Sequence, residues 1–285
     1  MPGRLFIVAT PIGNLDDITQ RALRTLREVD LIACEDTRHT RKLLNHFGIQ
    51  KTAISYHEHN ERERAAELCK LLAAGNSVAL VSDAGTPLIN DPGYRIVTAA
   101  IERGISIVPI PGPAAFIAAL TASGLSTDQF FFAGFLPARA NARRAKLEEL
   151  RSIPATLVFY EAPHRISATL QDALLVLGNR QAAIGRELTK LHEEFVRGTL
   201  AELAGQISTK NTVRGEMVLM ISGQVATAAS AAPLDSPDQL IDRVTSLEKD
   251  GLNSKDALKQ AARELGMKRS DAYRMIVAQK NRRTR

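Results

Sequence analysis

Residues 77–93 read SVALVSDAGTPLINDPG. Ser77 to Val81 is an apolar run of strand length that breaks at Ser82-Asp83 into a loop holding Gly85, Pro87, Pro92 and Gly93. A helix is expected over 93–103, ended by Gly104. A strand that opens into a glycine loop and then a helix is the repeating piece of an open α/β sheet, where ligands bind beyond the carboxyl ends of the strands. Ser82–Gly93 is therefore the leading binding loop. Its glycines let backbone approach a ligand closely, and Asp83 offers a carboxylate to an ammonium or a ribose hydroxyl.

The same alternation extends on both sides. Leu5 to Ala9 reads as a buried strand ended by the turn Thr10-Pro11-Ile12-Gly13-Asn14. A helix capped by Asp16 or Asp17 follows, with Ile18, Ala22, Leu26 and Val29 near helical spacing. Asp30 to Cys34 is a strand, 61–74 a helix with Ala65, Leu68 and Leu72 on one face, and Ile105 to Ile110 a strand ended by Pro111-Gly112-Pro113. This predicts an α/β domain with a largely parallel sheet over residues 1–118. A second α/β domain, over 119–223, has strands at Phe130–Phe135, Thr156–Tyr160, Ala182–Arg186 and Met217–Ile221. Helices fall at 139–151 and 165–177, and hairpins in a mixed sheet are expected. Residues 224–235, QVATAASAAPLD, read as a linker. Three short helices then fill 236–285. The first is capped by Ser236 before Pro237, the second starts near Ser254 and stops at Gly266, and the third is capped by Ser270. Their spacing resembles a helix-turn-helix unit.

The net charge is +6, and residues 239–285 carry all of it: 12 Lys and Arg against 6 Asp and Glu, leaving 25 of each sign in residues 1–238. A neutral body with a basic appendage is the electrostatic footprint of a polyanion-binding tail. The apolar residues at 5–9 are too few for a signal-peptide core, and no run approaches the roughly 20 residues of a membrane helix, so a cytoplasmic protein is expected. Cys34 and Cys69 are too few for a disulfide framework or a four-cysteine zinc site and are expected as buried thiols. His57 and His59 lack an evident third ligand, and no metal is expected. The G-x-G-x-x-G, P-loop and G-x-S-x-G signatures are absent.

Eight short motifs in order carry a family resemblance. They are the Thr10–Leu15 turn, Glu35-Asp36-Thr37-Arg38, the Ser82–Gly93 loop, Pro111-Gly112-Pro113, Gly134-Phe135-Leu136-Pro137, Phe159-Tyr160-Glu161, Arg186–Lys190, and Gly215-Glu216-Met217-Val218. Over residues 4 to about 222 the chain resembles the tetrapyrrole-methylase-like family of S-adenosylmethionine-dependent methyltransferases, in the branch acting on small-subunit ribosomal RNA. The resemblance implies two α/β domains with S-adenosylmethionine between them, a homodimer, and 2′-O-methylation of a cytidine ribose in the decoding centre of 16S rRNA. On the matching positions it implies cofactor contacts from Pro11, Gly13, Asp83, Ala84, Gly85, Leu88, Pro113, Ala114 and Ala115. Tyr160, Leu188, Gly215 and Glu216 would complete them from the second domain.

Methyl transfer to a ribose hydroxyl is an in-line displacement that gains from a base or from a cation near the forming alkoxide. Glu35, Asp36, His57 and Lys190 are the candidates, and the residues alone leave the choice open. Arg38, Arg139, Arg143, Arg144, Lys268, Arg269 and Arg274 are the candidate RNA contacts. A methyltransferase for a tetrapyrrole or diphthamide precursor would leave the basic tail without a use. A helix-turn-helix DNA regulator would leave the paired α/β domains unexplained.

Overall fold

The computed structural model describes residues 2–209, 214–224, 237–249 and 251–264, together with 272 and 274. The first sheet is built from β1 (Arg4–Val8), β2 (Leu31–Cys34), β3 (Ala53–Ser55), β4 (Val78–Val81) and β5 (Ser106–Ile110). Between them run α1 (Gln20–Glu28), α2 (Thr37–His46), α3 (Glu61–Ala73) and α4 (Tyr94–Glu102). Every strand pair is parallel, in the order β3-β2-β4-β1-β5. Apolar clusters lie on both faces: Leu5, Leu68, Leu72, Leu80 and Ile96 in one, Val8, Leu26, Ile32, Val81 and Ile110 in the other. Helices on both faces explain why β4 is buried at every position instead of alternating.

Strand order also gathers the motifs. β4 pairs with β1 (Ile7 opposite Leu80) and with β2 (Cys34 opposite Val81), while β1 pairs with β5 (Val8 opposite Ile110). The chain therefore leaves these four parallel strands at the same end of the sheet. The Thr10 turn, Glu35–Arg38, Ser82–Gly93 and Pro111–Pro113 emerge side by side there.

After α5 (Ala115–Ser123) the chain builds a second sheet. Its elements are β6 (Phe130–Phe135), α6 (Ala140–Leu150), β7 (Thr156–Glu161), α7 (Ile166–Leu177), β8 (Gln181–Arg186), β9 (Glu194–Thr199), α8 (Leu200–Ser208) and β10 (Met217–Ile221). The order is β6-β7-β10-β8-β9, with only the β6–β7 pair parallel, so the expected mixed sheet with a hairpin is present. Leu147, Phe159, Leu170, Leu203 and Leu219 fill one face. On the other, Ala119 and Leu120 of α5 pack on Val158, Ala183, Val218 and Met220, with Ile12 of the first turn against them.

Several expectations change. Thr19 caps α1, its Oγ1 accepting from Ala22 N–H at 3.1 Å, whereas Asp16 and Asp17 fall in a short 3-10 turn capped by Asn14. β3, α2, α5, β9 and α8 are additional elements. Both cysteines are buried. The C-terminal unit is compact by itself: α9 (Pro237–Lys249) and α10 (Ser254–Glu264) bury Leu240, Val244, Leu247, Ala257, Leu258, Ala261 and Ala262, with Ala272. Residues 225–235 of the expected linker, the Ser236 cap, Gly266, and the third helix apart from Ala272 and Arg274 lie outside the described residues. Among the described residues no helix is long and apolar enough to cross a membrane.

Candidate functional site

A cleft of about 310 Å³ opens between the end of the first sheet and the second sheet. Ala84, Gly85, Ala114 and Ala115 line it from the first side; Tyr160, Leu188 and Glu216 line it from the second. These seven are among the expected cofactor contacts. Small side chains and exposed backbone on one wall, with an aromatic ring and few polar groups on the other, make a slot for a flat, partly polar organic ligand.

The loop forming the first wall is held in unusual backbone geometry. Thr10 and Gly85 exchange two backbone hydrogen bonds, N–H to O at 2.8 and 3.0 Å, and Thr10 Oγ1 donates to the Ser82 carbonyl at 3.2 Å. Leu88 and Asn90 have φ of +73° and +65°, a region in which an aliphatic side chain is an outlier. Glu187 and Thr189, in the facing loop, have φ of +50° and +63°. Sparsely populated backbone on both sides of one cleft is the distribution expected of a functional site. Glu61 braces the loop's far end, accepting from Tyr56 Oη and from the N–H groups of Gly93 and Arg95.

The other expected cofactor residues flank the cleft. Gly13 lies where a Cβ would stand 2.5 Å from Lys190 Cγ and 3.0 Å from the Leu188 carbonyl, so the first turn abuts the second-domain loop. The Asn14 N–H donates to Thr189 Oγ1 across this seam at 3.1 Å. Pro11 and Pro113 adjoin wall residues, the Pro113 carbonyl accepting from Thr86 Oγ1 at 3.0 Å. Leu88 packs its side chain beside Leu80 and Gly93 and against the first core, away from the cleft wall. Gly215 packs against the Glu187 side chain behind Glu216. Asp83 accepts from the Asp36 N–H at 3.1 Å, tying the ends of β4 and β2 together.

Asp91 is a wall residue that sequence reading passed over, although it sits within the quoted loop. Burial raises its carboxyl to about 6 against the pull of a Ser82 hydrogen bond, and Glu35 and Asp83 add to the rise. Burial and the nearby Asp83 and Glu58 likewise raise Glu35. The site is thus a concentration of negative charge, partly offset at Glu35 by His57. Asp36 differs: hydrogen bonds from the Arg38 side chain and backbone hold it down to about 2. None of the four catalytic candidates lies on the cleft wall itself. Lys190 is nearest through its partners, donating to Glu187 and to the wall residue Glu216 at 3.0 Å each. Burial works to lower the Lys190 pKa, but these two carboxylates outweigh it and raise it. His57 Nε2 is 3.2 Å from Asn60 Nδ2, in the loop before α3. Among the described residues no group of three His, Cys, Asp or Glu side chains is arranged to hold a metal ion.

The basic candidates divide. Arg38 is open to solvent beyond its pair with Asp36. Arg139, at the α6 N-terminus, is exposed, and Arg144 is half-exposed while bonded to Asp172. Arg143 is a correction. It is 4% exposed, donates to Asp172 at 2.8 Å and to the Ala138 carbonyl at 3.0 Å, and ties α6 to α7 instead of presenting a free charge. Arg143 and its neighbour Arg144 converge on the same Asp172 carboxylate, the first buried and the second half-exposed. Arg274 is exposed; Lys268 and Arg269 lie outside the described residues.

A parallel five-stranded sheet joined by α5 to a mixed five-stranded sheet, with a carboxylate-rich cleft at their junction, defines a class: the chain belongs to the tetrapyrrole (corrin/porphyrin) methylase family, whose sequence model matches residues 4–204. Within that class it is similar to proteins named ribosomal RNA small subunit methyltransferase I. The one from Halalkalibacterium halodurans is 49% identical over 95% of this chain and 93% of its own length. That from Escherichia coli O157:H7 is 46% identical over 97% and 96%. Among solved structures, uroporphyrin-III C-methyltransferase from Thermus thermophilus, complexed with S-adenosyl homocysteine, aligns with a TM-score of 0.54 at 20% identity, covering 79% of this chain and 99% of that one. A diphthine synthase aligns at 0.57 and 16% identity, covering 77% and 90%. The two structures share the fold.

Proposed function

We propose that this chain transfers a methyl group from S-adenosylmethionine to the ribose 2′-hydroxyl of a cytidine in the decoding centre of 16S rRNA. The observation that carries this reading is near-full-length identity of 46–49% to proteins named for small-subunit rRNA methylation. The relatives named for other substrates share only 16–20%.

The residues of the cleft suit the cofactor. S-adenosylmethionine supplies an electrophilic methyl on a cationic sulfonium and also carries an ammonium. Asp91, raised to about 6 chiefly by burial and further by Glu35 and Asp83, is the group such a ligand would satisfy. Ala84, Ala114 and Ala115 leave room for it, and Tyr160, Leu188 and Met217 exclude water from it. Pro11, Gly13, Asp83, Leu88, Pro113 and Gly215 support that wall.

For the hydroxyl proton, Glu35 is the acceptor we favour, on its electrostatics. Its basicity is raised, while Asp36 is committed to Arg38 and held too low to take a proton efficiently. His57 is held by Asn60 beside that group. Lys190, fixed by Glu187 and Glu216, serves as a positive charge beside the cleft and closes the seam at Gly13. The basic tail, with Lys268, Arg269 and Arg274, docks on rRNA phosphates, with Arg38, Arg139 and Arg144 as further contacts. A cytoplasmic homodimer acting on the small subunit completes the reading. The test is transfer of labelled methyl from S-adenosylmethionine to small ribosomal subunits from a strain lacking the enzyme, in parallel with a uroporphyrinogen-type tetrapyrrole. Label in rRNA alone supports the reading; label in the tetrapyrrole alone overturns it.

A further inference from the structure

Phe135 closes β6 at the mouth of the cleft, and 55% of it is exposed. Edge-strand alternation does not put it there. The pairing of β6 with β7 shifts register between Phe132 and Phe135, and Gly134 within the shift has φ of +65°. A Cβ at Gly134 would stand 2.5 Å from Asn90 Oδ1, so the bulge also seats the second sheet against the Ser82–Gly93 loop. Bulges that re-aim one side chain are a recurrent device next to active sites.

The ring so aimed is braced from behind. Phe135 lies 5.6 Å from Tyr160 at 58°, Tyr160 lies 5.0 Å from Phe132, and Phe132 stacks on Phe116 of α5 at 4.5 Å. Four rings run from α5 out to the cleft mouth, and only the last offers an open face. Ile89, itself 37% exposed, and Pro163 line the same cleft.

We propose that Phe135 is the stacking platform for a nucleobase of the RNA substrate next to the methylated ribose, with Tyr160 as the positioning residue behind it. This rests on the reading above that RNA is the substrate. Single-stranded RNA is recognised by splayed bases laid on aromatic rings, and a ring fixed in advance loses little entropy on binding. The adenine of the cofactor is the rival occupant. It suits the inner wall of Ala84, Ala114 and Met217, where a small ligand is covered on most sides. Phe135 faces solvent at the mouth, where a macromolecular substrate arrives.

The experiment compares the full-length protein with Phe135→Ala, Phe135→Leu and Phe135→Tyr, measuring methylation of small subunits and, separately, calorimetric S-adenosylmethionine affinity. The alanine and leucine variants should lose about tenfold to a hundredfold in kcat/KM for the subunit. The tyrosine variant should keep most of it, and cofactor affinity should be unchanged in all three. A leucine variant equal to the parent would overturn the proposal by showing that apolar cover suffices. Parallel weakening of cofactor binding would give the ring to adenine, and a change in sedimentation would give it to a second copy of the chain; each overturns the proposal. Failure of the parent protein itself to methylate subunits would overturn the RNA reading and the proposal together, an outcome distinct from variants that match an active parent.

Discussion

Thr10 and Gly85 are joined by a reciprocal pair of backbone hydrogen bonds, and this bridge sets the first wall of the cleft. Gly85 makes it with φ of +84° and only 3.4 Å between a would-be Cβ and Ile12 Cγ2. Gly85→Val places a β-branched residue in the left-handed region at a cost of roughly 1–2 kcal/mol or more. Calorimetry should show S-adenosylmethionine affinity reduced by roughly tenfold or more, while circular dichroism shows the fold retained. Unchanged affinity would remove this loop from the cofactor site.

Asp91 makes cofactor binding pH-dependent in a definite direction. Its carboxyl, at about 6 in the free protein, must be charged to hold a cationic ligand. Affinity should rise as pH rises through about 6, measured from pH 5 to 8 by calorimetry, and Asp91→Asn should flatten the rise. The free protein should behave oppositely. Because the folded pKa lies above the ordinary 3.8, this group's contribution favours folding at low pH and is lost as pH rises through about 6.

Glu35 and Asp36 are neighbours with opposite shifts, and they separate in kinetics. Glu35→Gln should lower kcat by roughly 10²–10⁴ with cofactor affinity retained. Asp36→Asn should have a smaller effect, through loss of the Arg38 pair and the α2 cap. A steady-state comparison in which Asp36→Asn is the more damaging would reverse the assignment.

Arg143 tests stability, not RNA binding. Arg143→Ala leaves Asp172 buried at 3% exposure and bonded, among the described residues, to the half-exposed Arg144. Thermal or urea unfolding should show a loss of roughly 3–5 kcal/mol. Affinity of the folded fraction for subunits should be unaltered.

Much of this was legible in the chain because the first domain is made of locally consistent pieces. A short apolar strand, a glycine loop and an amphipathic helix repeat, and each piece announces itself. What escaped reading depends on partners remote in sequence. α5, AFIAALTAS, is apolar nearly all round and lacks a periodic stripe, because it is wedged between loops of one domain and the sheet of the other. β9 is an edge strand with charged residues at Glu194 and Arg197, so its pattern resembled a loop. Asp91 was hidden for a related reason. Its neighbours in sequence say turn, and only the fold sets it on the cleft wall with Tyr160 and Glu216 and near Glu35 and Asp83.

The most direct measurement is mass spectrometry of 16S rRNA fragments from cells with and without this gene, followed by restoration with purified protein and S-adenosylmethionine. The account predicts one methyl that is lost with the gene and restored by the protein, located on the ribose of a cytidine in the decoding centre. A methyl on the base, at another site, or no difference between the two strains would contradict it.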